Sequence, residues 1–250
     1  MRRIGWREKS TSRESSPTRC DANFLNGGAV RESGFTLSRL RLIDKPAAQV
    51  ILSRLRDSKT PRSEFRRLLY KAGIVSAYEI SNEVPLAEMT VATPLGVRAK
   101  GYEYGCDVTV LAVLRAALPM AWGMLEVFED AKVGFVSAKR AEVDDVERRE
   151  FSLEVELSYM SVPERSGVII VVDPMLATGS TLSAVLRKIK ERVEAEKIIV
   201  SALIATEVGV KRILSEHGGI TVYAFAVDPQ LNSRAFIVPG LGDAGDRAFG

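Results

Sequence analysis

A single histidine, two cysteines and no Asn-x-Ser/Thr sequon leave several chemistries without the residues they need. With only His217 available, and Cys20 and Cys106 far apart in sequence, neither a zinc site nor a Ser-His or Cys-His nucleophile system can be assembled. Two cysteines make no disulfide framework, so a reducing, cytoplasmic setting is expected. Long hydrophobic runs are also missing. The longest, Gly167 to Val172 and Ile198 to Ile204, are too short to cross a bilayer, and the Arg-rich start leads into no apolar signal segment. No membrane partner is expected. Net charge is small where it matters: the formal value is +3, but residues 1–19 hold six Arg or Lys against two Glu, which leaves the remainder near −1. Binding nucleic acid regardless of sequence requires a basic face dense enough to displace many counterions, so nucleic acid is not an expected partner and any anion site must be local. Asn and Gln together number only six, a composition that leans toward a hot environment.

What is present has a clear layout. Residues 1–33 are rich in Ser, Arg and Gly without apolar period, and are expected to be a flexible basic tail outside the fold. An RNA-contacting arm or the choice of an early start codon are other readings of that tail. Residues 34–250 are expected to form one domain. Apolar residues at Ala47, Val50, Ile51 and Leu55, and again at Phe65, Leu68, Leu69 and Ala72, predict two amphipathic helices split at Thr60-Pro61 and forming an N-terminal helical arm. Short apolar runs near 108–113, 133–137, 167–172, 198–204 and 220–227 alternate with helical patterns, which predicts an α/β fold: a mainly parallel sheet flanked by helices on both faces. Phe151, Leu153, Val155, Leu157 and Tyr159 alternate with polar residues and predict a half-exposed strand of a β hood. His217, before Gly218-Gly219, reads as a helix-end residue.

The β-branched run Gly167 to Val172 feeds Asp173-Pro174-Met175-Leu176-Ala177-Thr178-Gly179-Ser180-Thr181, and the helical stripe Leu182, Val185, Leu186, Ile189, Val193 follows at once. A loop between a parallel strand and a helix lies at the carboxyl end of the sheet, where open α/β folds bind ligands. The helix start offers free N–H groups and partial positive charge to a phosphate, Thr178, Ser180 and Thr181 add hydroxyls, and Gly179 allows close approach. The plainer alternative is that Ser180 or Thr181 caps the helix and Asp173 merely ends a strand. No Walker A pattern occurs, because no Gly-Lys-Ser/Thr is present. Arg115 also follows an apolar strand, so it belongs at the same sheet end as Asp173. At the other terminus Gly240, Gly242 and Gly245 satisfy G-x-G-x-x-G, yet only five residues remain after Gly245, too few for a dinucleotide-binding unit. Ile237, Val238, Pro239, Leu241 and Phe249 predict an ordered loop there instead.

Val172 to Thr181, VDPMLATGST, resembles the PRPP loop of uracil phosphoribosyltransferases, members of the type I phosphoribosyltransferase fold. Pro174 followed by Met175-Leu176, in place of a second acidic residue, is the distinctive wording. The PGLGDAGD stretch is similar to the uracil-binding end of that family, Val113 to Leu118 resembles its pyrophosphate loop, and Lys139-Arg140 falls where a second pyrophosphate arginine is expected. The resemblance spans about residues 62–250. It implies transfer of ribose-5-phosphate from PRPP to uracil, giving UMP and pyrophosphate, with Mg²⁺ carried by the sugar substrate and no protein-built metal site.

By the same resemblance Asp173 binds the ribose hydroxyls and Ala177, Thr178, Gly179, Ser180 and Thr181 hold the 5′-phosphate. Pro174, Met175 and Leu176 complete the PRPP loop, and Arg115 and Arg140 clamp pyrophosphate. Ile237, Gly242 and Ala244 offer backbone groups to uracil, and Asp243 stands between base and PRPP. Arg140 and Asp243 are the catalytic assignments. A homo-oligomer and a GTP or CTP effector are further implications. This sequence departs from the pattern at Ala117 and Ser180, where glycines are common, in the hood after Arg140, and at Phe236, where Tyr is common. Alternatives are a phosphoribosyltransferase for another nucleobase and an RNA-binding pyrimidine regulator on the same fold.

Overall fold

The computed structural model describes residues 38–140 and 155–250. The tail expected over 1–33, and Phe151 and Leu153 of the expected hood, lie outside the described residues. The chain begins with β1 (Leu40–Leu42), α1 (Pro46–Arg56) and α2 (Arg62–Ser81), followed by β2 (Leu86–Ala92) and β3 (Arg98–Tyr104). Next come β4 (Val108–Leu114), α3 (Leu118–Met124), β5 (Lys132–Arg140), β6 (Val155–Ser161), β7 (Arg165–Val172), β8 (Met175–Leu176) and α4 (Ser180–Arg192). The remainder is β9 (Glu194–Ser201), β10 (Ile204–Thr206), α5 (Glu207–Glu216), β11 (Thr221–Ala224), β12 (Ala226–Asp228), β13 (Gln230–Leu231), β14 (Ile237–Val238) and α6 (Ala244–Phe249).

Seven strands form the main sheet in the order β1-β11-β9-β7-β4-β5-β6, parallel throughout except where β6 runs antiparallel to β5. The continuous apolar wording of β4 and β7 is the mark of strands buried on both faces. Alternation then sends Val110, Ala112, Ile170 and Val172 to one side, and Leu111, Val113, Ile169 and Val171 to the other. The first layer packs against α1, α2 and α3 through Leu52, Leu55, Phe65, Leu69 and Met120. The second packs against α4 and α5 through Leu182, Val185, Leu186, Ile189, Val210 and Ile213. The two helices expected as an arm are α1 and α2, and they lie against the sheet. Pro46 opens α1 and Pro61 caps α2, positions that tolerate a missing N–H. No helix among the described residues is long and apolar enough to cross a membrane.

Four features differ from the sequence reading. The apolar run 198–204 divides into β9 and β10, and the run 220–227 into β11 and β12. At each break the chain leaves the main sheet: Ala202 N–H donates to Tyr223 O at 2.9 Å and Phe225 N–H to Leu203 O at 3.0 Å. The outer halves join β8 in a separate parallel sheet ordered β12-β10-β8. Periodicity is blind to such a break because both halves are equally apolar. The β2–β3 hairpin and the edge strand β1 were not anticipated, because charged residues interrupt the hairpin's pattern and β1 is only three residues long.

Candidate active site

Parallel strands release their loops at one edge of the sheet. β4 and β7 are neighbours, with Ala112 beside Val172, so Arg115 and Asp173 emerge side by side. The Leu114–Arg115 peptide is cis. The loop after β7 is held from below: Asp173 N–H donates to Ser201 O at 3.0 Å, and Leu203 and Ile204 N–H both donate to Pro174 O at 3.1 Å. Asp173 Oδ1 accepts from Met175 N–H at 3.2 Å, closing a local turn. α4 begins at Ser180, and its cap is Gly179, in the left-handed region at φ 77°. Gly179 has no side chain to cap the helix, and Ser180 N–H donates to Thr178 Oγ1 at 3.4 Å; the start of α4 presents its partial positive charge to the cleft. Ser180 and Thr181 thus sit in the first turn, and neither is the cap. Thr178, nearly buried, places its hydroxyl 3.1 Å from Ser180 Oγ.

A second element supports this loop. Thr206 caps α5 by accepting from Gly209 N–H at 3.0 Å, and its own hydroxyl donates to Ala177 O at 2.6 Å. One side chain therefore ties the start of α5 to the phosphate-type loop. Gly209 packs so closely that a Cβ there would lie 2.4 Å from Ala177 O.

The C-terminal segment folds back onto α1 and α2. Asp228, at the end of β12, receives two bonds of 2.7 Å from Arg56 and one of 2.8 Å from Gly240 N–H, while Arg56 also donates to Gly240 O at 2.8 Å. Arg247 donates to Leu55 O, to Leu241 O at 2.8 Å and to Asp57 O at 2.6 Å, and lies over the Phe65 ring. These contacts fix Ile237 to Gly245. Asp243 opens α6, its Oδ1 accepting from Asp246 N–H at 2.9 Å. Arg115 Nη2 reaches Asp246 Oδ1 at 3.4 Å, a contact between exposed groups that bridges the first and last walls of the site.

Together these walls enclose a cleft of about 450 Å³, lined by Val113 to Ala116, by Asp173 with Met175 to Leu182, by Arg234 to Ile237 and by Gly242 to Gly245. Of the residues singled out in the sequence, Arg115, Asp173, Met175 to Thr181, Ile237, Gly242, Asp243 and Ala244 meet there. Pro174 does not line the cleft; its carbonyl anchors the loop instead. Arg140 ends β5 beside Val155, two residues after Ala138, which lines the cleft. Sequence reasoning missed Arg56, Thr206, Gly209, Arg212, Asp228 and Arg247. Asp228 precedes Pro229, which reads as turn chemistry, and nothing in one sequence pairs Arg56 with a residue 172 positions away. Among the described residues no three His, Cys, Asp or Glu side chains cluster so as to hold a metal.

The clamp yields a prediction. Burial alone would raise the Asp228 carboxyl, but the Arg56 guanidinium and the Gly240 N–H outweigh it and hold it below the ordinary 3.8. A lowered folded value means stability that is complete above the ordinary value and lost as the pH falls from there through the folded one. Asp228→Asn strands Arg56 without a carboxylate and is expected to cost roughly 2–3 kcal/mol, less than for a fully enclosed pair. Arg56 retains 24% side-chain exposure, which is the reason for the smaller figure. Urea titrations at pH 7 and pH 3 check this: the deficit should be large at pH 7 and shrink at pH 3.

A mainly parallel sheet with a short antiparallel hood strand, and a phosphate-type loop, an arginine loop and a glycine-rich segment at its carboxyl edge, is the type I phosphoribosyltransferase fold. The family model described as uracil phosphoribosyltransferase matches residues 42–250. The chain is 38% identical over 213 residues to the uracil phosphoribosyltransferase of Metallosphaera sedula, covering 84% of this chain and 98% of that one. It is 41% identical over 214 residues to that of Pyrobaculum islandicum, with 84% and 98% covered. A solved structure from Aquifex aeolicus superposes with a TM-score of 0.75 at 31% identity, covering 84% of this chain and 97% of the other. This chain belongs to the uracil phosphoribosyltransferase family, and the match begins about twenty residues before the point where the sequence resemblance was traced.

Proposed function

We propose that this chain transfers the 5-phosphoribosyl group of PRPP to uracil, forming UMP and releasing pyrophosphate, in pyrimidine salvage in the cytoplasm. The observation that carries this reading is that residues of the loop Asp173 to Thr181 and of the segment Ile237 to Gly245 line one cleft together with Arg115, which also reaches Asp246. The α4 N-terminus with Thr178, Ser180 and Thr181 takes the 5′-phosphate, and Asp173 takes the ribose hydroxyls. Arg115 and Arg140 take the pyrophosphate. The backbone at Ile237, Gly242 and Ala244 frames the uracil edge; fixed N–H and C=O groups match O2, N3–H and O4 and would be left unpaired by cytosine. Asp243 stands between base and sugar.

The chemistry is a displacement: uracil N1 bonds to C1 of the ribose, the bond from C1 to pyrophosphate oxygen breaks with its electron pair going to the pyrophosphate, and the N1 proton is released to water. These residues contribute orientation of the two reactants and cationic stabilisation of the departing charge. A magnesium ion fits a cleft whose carboxylates are few, because it keeps water and substrate oxygens as ligands. Asp173 and Asp243 are the carboxylates that line the cleft. When bound, magnesium supplies neutralisation of pyrophosphate charge. Incubation with PRPP, Mg²⁺ and a panel of bases is expected to yield UMP from uracil alone. Purine nucleotides as products, or no product, would overturn the reading.

The same reading includes a homo-oligomer and response to GTP or CTP. The β2–β3 hairpin supports the first: Leu95 is 90% exposed at its tip, and Leu86, Met89, Val91, Val97 and Tyr102 are exposed along it. Exposed apolar surface of this kind favours self-association. Sedimentation of Met89→Glu/Val91→Glu is expected to give a smaller species than the parent. Titrating GTP and CTP into the activity assay tests the second.

A further inference from the structure

The geometry points to Arg212, on α5, as a positioning residue for the 5′-phosphate, acting through Ser180; this rests on the assignment of the Asp173 to Thr181 loop to that phosphate. The loop and the first two turns of its helix, Asp173 to Leu186, contain no Lys or Arg. Among the described residues lining the cleft, the cations are Arg115 and Arg234, and both stand on other walls. A dianion seated on that loop would thus meet hydroxyls and N–H groups but no neighbouring cation in the loop itself.

Arg212 supplies one from behind. Its Nη1 donates to Ser180 Oγ, and Ser180 in turn lines the cleft and lies 3.1 Å from Thr178 Oγ1. Arg212 does not line the cleft, so its effect must pass through the hydroxyl. Donation from a guanidinium is a strong, charge-assisted bond, and it polarises the hydroxyl it reaches, making that O–H a better donor to an anion. The guanidinium is fixed on its far side as well: Nε lies 3.5 Å from Glu216 Oε1, and Glu216 Oε2 accepts from Ser183 Oγ, which is 2.8 Å from His217 Nε2. The side chain also packs along the loop, since a Cβ built on Gly179 would lie 3.4 Å from both Cβ and Cδ of Arg212.

Steady-state kinetics of the full chain test the inference with Arg212→Gln, Arg212→Lys, Ser180→Ala, the Arg212→Gln/Ser180→Ala double variant and Thr181→Ala. Arg212→Gln is expected to raise KM for PRPP about tenfold, the scale of one lost charge-assisted hydrogen bond. It should leave KM for uracil and the melting temperature near their parent values. Arg212→Lys should recover part of the loss, and the double variant should be no worse than the poorer single one, as expected of two groups in one chain of contact. Unchanged KM for PRPP in Arg212→Gln, equal changes for both substrates, or additive losses in the double variant would overturn the role of Arg212 while Thr181→Ala still raised KM for PRPP. If Thr181→Ala and Ser180→Ala also left KM for PRPP unmoved, the phosphate assignment itself would fall, and this inference with it.

Discussion

Arg115→Ala is expected to lower kcat/KM for PRPP by about 10²–10³-fold, the usual consequence of removing one preorganised group that faces developing negative charge. The side chain is 61% exposed, and its contact with Asp246 at 3.4 Å joins two exposed groups, so the fold should not notice the loss. Arg140→Ala is expected to act in the same direction by orders of magnitude, since the proposed function gives both arginines the same leaving group. Pyrophosphate release measured beside thermal unfolding separates chemistry from folding. Near-normal turnover in either variant would remove that arginine from its role, whereas a fall in melting temperature to match the activity would make it structural.

Gly209→Ala should be as damaging through a different route. The added methyl would lie 2.4 Å from Ala177 O and 2.9 Å from Leu176 O, and both obstacles are backbone, so no rotamer change can relieve them. The start of α5 or the Met175 to Thr181 loop must move. Overpacking of this kind costs about 1–3 kcal/mol. Displacing the groups proposed to hold the 5′-phosphate by about 1 Å is expected to reduce kcat/KM for PRPP by roughly a hundredfold. Gly218→Ala is the control: a Cβ there meets nothing within 4 Å, and the residue has no positive φ. Its stability should stay within about 0.5 kcal/mol of the parent. If Gly209→Ala bound PRPP as tightly as the control, the close packing of α5 on the loop would not matter to the site.

His217 illustrates how far local reading extends. The Gly218-Gly219 pair marks it as a helix end, and it is the C-cap of α5. Its burial and its 2.8 Å bond to Ser183 Oγ come from α4, a separate helix, and that burial lowers its pKa. Nothing within ten residues of His217 announces Ser183.

The same division runs through the molecule. Strands β4 and β7, helices α1, α2 and α4, and the two motifs at Asp173 to Thr181 and Ile237 to Gly245 are legible in the sequence. Their signals are local: a run of β-branched residues, a 3.6-residue stripe, a glycine cap, a fixed string of loop residues. The tertiary structure decided where those pieces stop and what holds them. It split two apolar runs at Ala202 and Phe225, placed Thr206 and Gly209 beneath the Asp173 to Thr181 loop, and closed the Ile237 to Gly245 segment with Arg56 and Asp228. It also fixed which wall Arg212 would back. Each of these depends on contacts between residues distant in the chain, set by how the strands are ordered in the sheet, and a period or a motif in one sequence carries no record of that order.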